Sequence, residues 1–401
     1  MIIGIPREIT PGENRVAATP DTVQRLANLG YDVRVERGAG VDARFHDDAY
    51  EDVGATLVDD ASELWSTSDI VIKLHPPRPL TDSDTHELDQ LADGAVLISL
   101  IDPANNDDLL ERLEDKHATV FGLDCVPRLS RAQSVDVLSS MAAIAGYRAV
   151  IEAAGRFDRF LSPQMTAAGS TPPAEVMVIG AGVAGLSAIA TAKGLGAQVK
   201  AFDVRPAVEE EVESLGGRFL KLEFDEEGAE GEGGYANVMS DEFIEAEMAL
   251  FREEIPASDV VITTASIPGK PAPKLILEDM VESMKPGSVI VDLAAASGGN
   301  CELTEPGEII EHGGVAILGE TNLASHLPSH ASEYFGRNVA NLVKLLGDAS
   351  DFVIDEDDPV VRGMLVMRDG QLMWPPPTIE PSPTKPDEET RAAADRSRDE
   401  M

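Results

Sequence analysis

The sequence predicts an α/β protein made of two doubly wound, mostly parallel sheets, joined by long helices and separated by a cleft. Two observations lead to this prediction. Short apolar runs alternate with helical patterns along most of the 401-residue chain, which is the rhythm of β-α-β units. A long helical pattern interrupts that rhythm once, and the rhythm then starts again, as expected for a chain long enough for two domains.

The first half of the pattern occupies about the first 125 residues. Its apolar runs are short and bounded by turn residues, which is typical of strands buried in a parallel sheet. The predicted strands are 2–5, 31–36, 70–74, 95–100 and 118–123, with helices at 21–30 and 106–116 among the pieces between them. A long helix is predicted next, over 134–157.

The second half repeats the alternation after the long helix. A second long helix is predicted over 324–346, with Pro328 in its first turns, where proline does least harm. The segment 364–373 predicts a hairpin that turns at Asp369-Gly370. The predicted strands before these elements are 175–180, 198–203, 218–222, 259–265, 288–294 and 315–319.

The long helices and the composition suggest where the domains divide. Residues 1–130 together with 325–375 are predicted to form one domain, and residues 131–324 the other. Residues 376–401 are rich in proline and then in charge, with few apolar side chains, so we expect a disordered acidic tail.

The charge balance excludes two classes of partner. The formal net charge is −40, which disfavours nucleic acid and anionic membrane surfaces. We interpret it as the solvated acidic surface of a halophilic protein. Cys125 and Cys301 give neither a disulfide framework nor metal-ligand spacing, and His326 and His330 lack a third ligand, so no metal is expected.

Two features bear on the compartment. The N-terminus lacks the basic start and apolar core of a signal peptide. The apolar window 176–192 carries spaced glycines and ends at Lys193, so it is interpreted as a strand, a turn and a helix. We expect a cytoplasmic protein whose own chain does not insert into a membrane.

The sequence "VMVIGAGVAGLSAIATAKGLGAQVKAFDVR" contains a dinucleotide fingerprint. Gly180, Gly182 and Gly185 follow a predicted strand and open a helix, and Asp203 ends the next strand, 18 residues after Gly185. The glycines allow a tight turn at a pyrophosphate, and the acidic residue binds ribose hydroxyls. This Rossmann pattern favours NAD(H) over NADP(H), although Arg205 could pair with a 2′-phosphate. Ala181, Val183 and Val204 complete the predicted cofactor contacts.

The stretch "PRLSRAQSVDVLSS" (127–140) is a second candidate site. One interpretation is only structural, because Ser130 and Gln133 match a capping box at a helix start. The other is functional: Gln133, Asp136 and Ser139 are spaced three apart, so they would line one side of the helix start at the predicted cleft. With Arg128, they form a polar group that contains no His, Cys or Lys.

Five segments of the chain together resemble a known family. The segments "PRLSRAQSVDVLSSMAAIAGYRAV", "VIGAGVAGL", "GGYANVMSDEF", "TTASIPGKPAP" and "VIVDLAAASGGN" are together similar to the NAD-binding component of proton-translocating NAD(P) transhydrogenases. These five segments occur in the family's order. The resemblance covers about residues 1–375.

The resemblance implies a function that the polar stretch suits. NADH would pass hydride directly to NADP⁺ held on a partner subunit, a step that needs alignment rather than an acid or a base. It assigns Gln133, Arg128, Asp136 and Ser139 to orienting the nicotinamide, with most weight on Gln133. It implies NADP-binding and membrane-spanning partner subunits, a homodimer, and a peripheral association with the membrane through those partners.

The resemblance also assigns further contacts to NAD(H). The loop 225–240 is rich in glycine and acidic residues, and it would close as a lid over the nucleotide with Gly234 and Tyr235 at its tip. Without the resemblance, a solvated surface loop is an equal interpretation. Thr264 and Ala265, in the "TTASIPGKPAP" segment, would line the same nucleotide site.

Two alternatives remain open at this stage. Alanine dehydrogenase shares the opening "GIPREITPGENRVAATP", and its substrate-binding pattern finds matches in Arg15 and Lys73. Its catalytic His is missing from "SLIDPANN", and Ala296 stands where its Asp would be. The second alternative is a non-catalytic NAD-binding module.

Overall fold

The computed structural model describes residues 1–80, 85–222, 240–266 and 271–376. These residues form an eight-stranded sheet, a seven-stranded sheet and a separate two-stranded hairpin. Helices connect the parallel strands in both large sheets. The prediction of an α/β protein with two parallel-dominated sheets is therefore confirmed.

The first sheet combines the N-terminal strands with one hairpin from near residue 370. Its strands are β1 (Ile2–Ile5), β2 (Asp32–Glu36), β3 (Thr56–Val58), β4 (Ile70–Ile72), β5 (Val96–Ser99), β6 (Thr119–Gly122), β16 (Leu365–Arg368) and β17 (Gln371–Leu372). The order is β17-β16-β6-β5-β4-β1-β2-β3. Strands β1 to β6 are parallel, and β16 adds antiparallel to β6.

The hairpin prediction is confirmed, since Asp369 and Gly370 both have positive φ, at 49° and 81°, as a tight two-residue turn requires.

The helices that accompany this sheet are α1 (Pro20–Asn28), α2 (Asp47–Asp52), α3 (Ala61–Thr67), α4 (Asp107–Asp115), α10 (Pro328–Leu346) and α11 (Pro359–Met364).

The second sheet has the doubly wound order that dinucleotide-binding domains use. Its strands are β9 (Glu175–Ile179), β10 (Gln198–Phe202), β11 (Arg218–Phe219), β12 (Val260–Thr263), β13 (Val289–Asp292), β14 (Ile309–His312) and β15 (Val315–Leu318). The order β11-β10-β9-β12-β13-β15-β14 reverses its direction of growth between β9 and β12. Ligands of such sheets bind at the carboxyl ends of these two strands.

Among the described residues, four helices accompany the second sheet, and one more connects the two halves. The four are α6 (Val183–Gly194), α7 (Glu209–Ser214), α8 (Asp241–Glu254) and α9 (Glu278–Glu282). The connecting helix is α5 (Val137–Arg156), and the exposed hairpin β7 (Gln164–Thr166) and β8 (Gly169–Thr171) follows it. In the described part of the chain, only α5 is long and apolar enough to cross a membrane by length and composition.

Several details differ from the sequence predictions. Strands β3 and β14, and the hairpin β7–β8, were not predicted, because they are short and lack a strong apolar run. The helix predicted from residue 324 is broken: 323–326 form a 3₁₀ turn and α10 begins at Pro328. The break has a steric cause, since a proline disfavours helical backbone in the residue before it, here Leu327.

The predicted capping box at Ser130 is wrong. Residues 130–135 form a 3₁₀ turn, and α5 begins at Val137 with Asp136 as its N-cap. The Asp136 carboxylate accepts from the Ser139 amide, and a negative charge is stabilised at the positive end of a 20-residue helix. Gln133 and Ser139 therefore lie on two different helical segments rather than on one helix face.

Candidate functional site

Three glycines lie where β9 leads into α6, two in the turn and Gly185 in the first turn of the helix, and each meets a different requirement. Gly180 has a φ of 95°, and a Cβ atom placed on it would lie 2.4 Å from the Thr264 hydroxyl oxygen. A Cβ on Gly185 would lie 1.8 Å from the carbonyl oxygen of Gly180, so only glycine lets α6 approach the strand this closely. Gly182 is the N-cap of α6, and a Cβ there would have no other heavy atom within 4 Å.

The open space beside Gly182 suits a pyrophosphate. It lies at the start of the 12-residue helix α6, whose first amide groups and dipole favour negative charge. The turn also follows β9, at the point where the strand order reverses. The residues present therefore fit a dinucleotide at this end of the second sheet.

The neighbouring strand β12 supplies the opposite wall of this crevice. Thr264 donates its hydroxyl to the Gly180 carbonyl oxygen at 3.1 Å, which ties the two strand ends together. Ala265 is fixed on both sides by Asn300, which accepts from the Ala265 amide at 3.1 Å and donates to its carbonyl oxygen at 2.8 Å. Asn300 is fully buried.

Sequence reasoning did not single out Asn300 as a site residue. It also missed Asp292, the buried last residue of β13, which accepts from the Cys301 amide at 2.9 Å and from the Thr304 hydroxyl at 2.6 Å. The signal was present, because both belong to the segment "VIVDLAAASGGN", one of the five segments that carry the resemblance. Together they fix the loop that carries Ala265.

Asp203 lies at the end of β10, next to the glycine turn. Its carboxylate accepts from the Ala181 amide at 2.7 Å and from the backbone amide and two guanidinium nitrogens of Arg205, each at 2.9 Å. The sequence left open whether Arg205 serves a 2′-phosphate. In this structure its guanidinium group is instead bound to Asp203, so a ligand ribose would compete with Arg205 for that carboxylate.

The two valines of the predicted cofactor set lie in different surroundings. Val183 is in the first turn of α6 and is 45% exposed, so it borders the open space at Gly182. Val204 is partly buried and packs against the apolar core of the second sheet. Gly234 and Tyr235, predicted for the lid, lie outside the described residues.

The structure brings together three of the four residues of the polar stretch. The Asp136 carboxylate accepts from the Ser139 amide at 2.9 Å and from its hydroxyl at 2.6 Å. The Arg128 guanidinium group lies 3.7 Å from the same carboxylate. Gln133 lies in the preceding 3₁₀ turn and is exposed, and its side chain makes no hydrogen bond to another described residue.

Helix α5 joins this polar cluster to the glycine turn. A Cβ atom on Gly146 would lie 2.0 Å from the Ala184 carbonyl oxygen, so the two helices touch backbone to backbone. The Ser187 hydroxyl donates to the Ala143 carbonyl oxygen at 2.7 Å. Ser139 precedes Ala143 by about one helical turn, or roughly 6 Å, so the cluster lies close to the first turns of α6.

The first of the two cations that match the alanine dehydrogenase pattern is fully engaged within the protein. Arg15 is buried and donates to both oxygens of Glu13, at 2.7 and 2.6 Å, and to Asn322 at 3.1 Å. His75 also lies 2.6 Å from Glu13. These partners hold the pKa of Glu13 well below its usual range against the opposing effect of burial, and sequence reasoning did not associate His75 with this cluster.

The second cation is buried as well. The Lys73 ammonium group is completely buried and donates to both oxygens of Glu87, at 2.7 and 2.6 Å. Glu8 lies nearby: its Oε1 accepts from the Leu74 amide at 2.6 Å, and its Oε2 is buried without a hydrogen-bond partner among the described residues. Burial raises the pKa of Glu8.

The two cysteines and one cluster of acidic residues are given no role in catalysis or metal binding. Burial raises the pKa of the Cys125 thiol to about 12 and that of Cys301 to about 11, so neither is a reactive thiolate. In the described part of the chain one set of side chains has the spacing to hold a metal ion, namely Glu278, Glu282 and His312. Both glutamates are exposed and His312 is half-buried, so we assign no site to them.

Comparison with known proteins gives a consistent result. Residues 4–145 match the family model "Alanine dehydrogenase/PNT, N-terminal domain", and residues 149–375 match "Alanine dehydrogenase/PNT, C-terminal domain". A protein of Haemophilus influenzae named NAD(P) transhydrogenase subunit alpha is 51% identical over 396 residues, covering 98% of this chain and 75% of that protein.

Two solved structures are also similar over almost the whole chain. The transhydrogenase from Sinorhizobium meliloti is 40% identical, with a TM-score of 0.80, and covers 94% of this chain and 99% of its own. An L-alanine dehydrogenase is 27% identical, with a TM-score of 0.76, and covers 94% of this chain and 97% of its own.

Proposed function

Since this chain belongs to the alanine dehydrogenase/PNT family, we propose that it is the NAD(H)-binding component of a proton-translocating NAD(P) transhydrogenase. The proposed reaction is direct hydride transfer from NADH to NADP⁺ held on a separate partner subunit. The 51% identity to a transhydrogenase subunit alpha supports this proposal over nearly the whole chain.

One observation carries the choice between the two activities of the family. Arg15 and Lys73, the cations that would grip the carboxylate of an amino acid, are each bound to a buried glutamate at 2.6 to 2.7 Å. The space beside Gly182 is meanwhile open. Both activities need NAD(H), so the choice rests on the two cations: Arg15 and Lys73 are already bound to glutamates and would have to give up those bonds to hold an amino-acid carboxylate.

The residues of the second sheet would hold NAD(H). The turn at Gly180, Gly182 and Gly185 would receive the pyrophosphate on the first amide groups of α6, with Thr264 and Ala265 forming the facing wall. Asp203 would accept from the ribose hydroxyls of the adenosine, which requires Arg205 to give up part of its present pairing. When bound, the nicotinamide supplies the hydride donor or acceptor.

The polar cluster would orient the reacting ring rather than move a proton. Asp136 fixes Ser139 and faces Arg128, so these side chains are held in place before any ligand arrives. Gln133 is exposed on the adjoining turn, where it could reach a nucleotide on another subunit. Holding two nicotinamides in register is the main demand of a direct hydride transfer.

Several further features belong to the same proposal. Residues 1–130 with 325–375 would act as one domain and 131–324 as the other. We expect a homodimer that associates with the membrane through NADP-binding and membrane-spanning partners, on the cytoplasmic side. The net charge of −40 would then form a solvated surface for a halophilic setting, and Tyr235 would close over the nucleotide.

The decisive experiment mixes the purified chain with its matching NADP-binding subunit and follows hydride transfer from NADH to an NADP⁺ analogue. We expect transfer by the wild type, and a loss of at least tenfold in Gln133→Asn with NADH affinity unchanged. Gln371→Asn, an exposed glutamine on β17, is the matched control and should transfer normally. Tight NADH binding without transfer, even with the partner added, would favour a non-catalytic NAD-binding module.

A second candidate is an amino-acid dehydrogenase that works without a partner. The observation in its favour is the cluster in which Glu13 joins His75 to Arg15, since it brings a titratable imidazole beside a cation of the alanine dehydrogenase pattern. Oxidation of NADH by the isolated chain with pyruvate and ammonia would establish this activity. Loss of that oxidation in His75→Gln would assign it to this cluster.

A further inference from the structure

Glu247 occupies an unusual place for a carboxyl group. It lies on the face of α8 that packs on the second sheet, one turn after Phe243 and one turn before Phe251, both of which are buried. Glu247 is only 6% exposed. Glutamate is almost never buried to this degree without a partner, so its retention here calls for an explanation.

The packing of α8 places Glu247 beside the nucleotide crevice. The Phe251 ring meets the Phe202 ring edge to face, with centroids 5.2 Å apart, and Phe202 directly precedes Asp203. Burial raises the pKa of Glu247 to about 7, and the negative charge of Asp203 adds to that rise.

In the described part of the chain, no positive charge compensates the carboxylate of Glu247. Its carboxyl group makes no hydrogen bond or ion pair with another described residue. The cations on its own helix, on the strand β10 and in the loop after β10 have other partners. Those pairs are Lys200–Glu254 at 2.8 Å, Arg252–Asp279 at 3.3 Å and Arg205–Asp203 at 2.9 Å.

We propose that Glu247 is a second acidic specificity determinant of the adenosine-ribose pocket, which acts with Asp203 to exclude a 2′-phosphate. This inference rests on the proposed function and deepens it. A 2′-phosphate carries up to two negative charges near neutral pH and would meet two carboxyl groups in a poorly solvated site. The exclusion of NADP(H) is strongest when Glu247 is ionised, so it increases as the pH rises through about 7.

The test measures the dissociation constants of NADH and NADPH by calorimetry at pH 6 and pH 8, at one fixed salt concentration. In the wild type, the ratio of the NADPH constant to the NADH constant should rise with pH by about tenfold more than in Glu247→Gln. That is the order expected for one unit charge roughly 10 Å from another at an effective dielectric constant near 20. Titration of the phosphate itself is common to both proteins and cancels in the comparison.

Two further variants keep the test independent of folding. Glu247→Met has a similar volume without charge, and it should lower the ratio at pH 8 as Glu247→Gln does. Glu245→Gln removes a charge from an exposed position of the same helix and should leave the ratio as in the wild type. Thermal unfolding of each variant verifies that it is folded at both pH values.

The possible outcomes separate this inference from the function on which it rests. If the wild type excludes NADPH at pH 8 and Glu247→Gln admits it, the inference is supported. If NADH binds but the two ratios change alike with pH, or if neither protein binds NADPH at any pH, Glu247 is not a determinant and only this inference falls. If the wild type binds no NADH at all, both the inference and the proposed function are overturned.

Discussion

A Cβ atom placed on Gly146 would lie 2.0 Å from the carbonyl oxygen of Ala184. Gly146 is in the middle of α5 and Ala184 is in the first turn of α6. The contact therefore sets the distance between the helix that carries the polar cluster and the helix that opens the nucleotide turn. A small residue at this one position couples the two parts of the candidate site.

Gly146→Ala should force these helices apart. Because the obstructing atom belongs to the backbone, we expect a loss of about 1–3 kcal/mol in the free energy of unfolding, together with weaker hydride transfer. Gly155→Ala, on the same helix but with no other heavy atom within 4 Å of a Cβ, is the control and should be neutral or stabilise by up to about 1 kcal/mol. Equal effects of the two substitutions in urea unfolding would contradict this role for Gly146.

Gly182→Ala separates binding from folding. Gly182 has a φ of −76° and open space around a Cβ, so alanine should leave the unfolding midpoint almost unchanged. The new methyl group would stand where we place the pyrophosphate, and NADH affinity should fall by roughly tenfold or more, corresponding to about 1.4 kcal/mol. Gly185→Ala should instead lower the free energy of unfolding, because its Cβ would lie 1.8 Å from the Gly180 carbonyl oxygen.

The buried pair of Lys73 and Glu87 should act as a unit. Lys73→Met alone leaves an uncompensated buried carboxylate and should lower the free energy of unfolding by about 3–5 kcal/mol. Lys73→Met combined with Glu87→Leu should recover most of that loss, since a buried ion pair can often be replaced by apolar side chains. A double-mutant cycle in urea measures the coupling, and additive losses would show that the pair is not coupled as the structure indicates.

The burial of Glu247 predicts that the stability of the protein depends on pH even when no ligand is bound. Its pKa is raised from 4.5 in the unfolded chain to about 7 in the folded state, so between these values the folded protein holds a proton that the unfolded chain has lost. The contribution of Glu247 to stability is therefore greatest below pH 4.5 and is lost as the pH rises through 7.

Relative to the wild type, Glu247→Gln should accordingly gain stability between pH 4 and pH 8, on the order of 3 kcal/mol. Urea unfolding at both pH values measures this difference. Glu245→Gln should show no such gain, because Glu245 is exposed. A constant difference between Glu247→Gln and the wild type across this range would mean that Glu247 titrates normally.

Much of the nucleotide turn follows from local sequence. Gly180, Gly182 and Gly185 are spaced as a turn between a strand and a helix requires, and Asp203 ends the following strand. Such features depend on backbone freedom and on residues near each other in the chain, which a pattern records directly. The alternation of apolar runs likewise predicted the parallel strands, apart from short ones such as β3.

Other predictions failed where two local signals competed. Ser130 and Gln133 match a capping box, yet Asp136 caps α5, which begins only at Val137, and serine and aspartate are about equally good N-cap residues. The sequence contained both signals and could not rank them. The position of Gln133 on a separate turn follows from that outcome.

The class of fold, the glycine turn and the acidic residue at the end of β10 were all predictable from local patterns of residues. Other features depend on packing between distant segments: Arg15 is buried and bound by Asn322, which is 307 residues away, and Glu247 is buried one helical turn from Phe251, whose ring meets that of Phe202, the residue before Asp203. Burial and charge pairing depend on which distant segments pack together, and no local spacing of residues encodes that. Packing therefore decides whether each charged group is available to a ligand, whereas the local sequence decides the shape of the glycine turn.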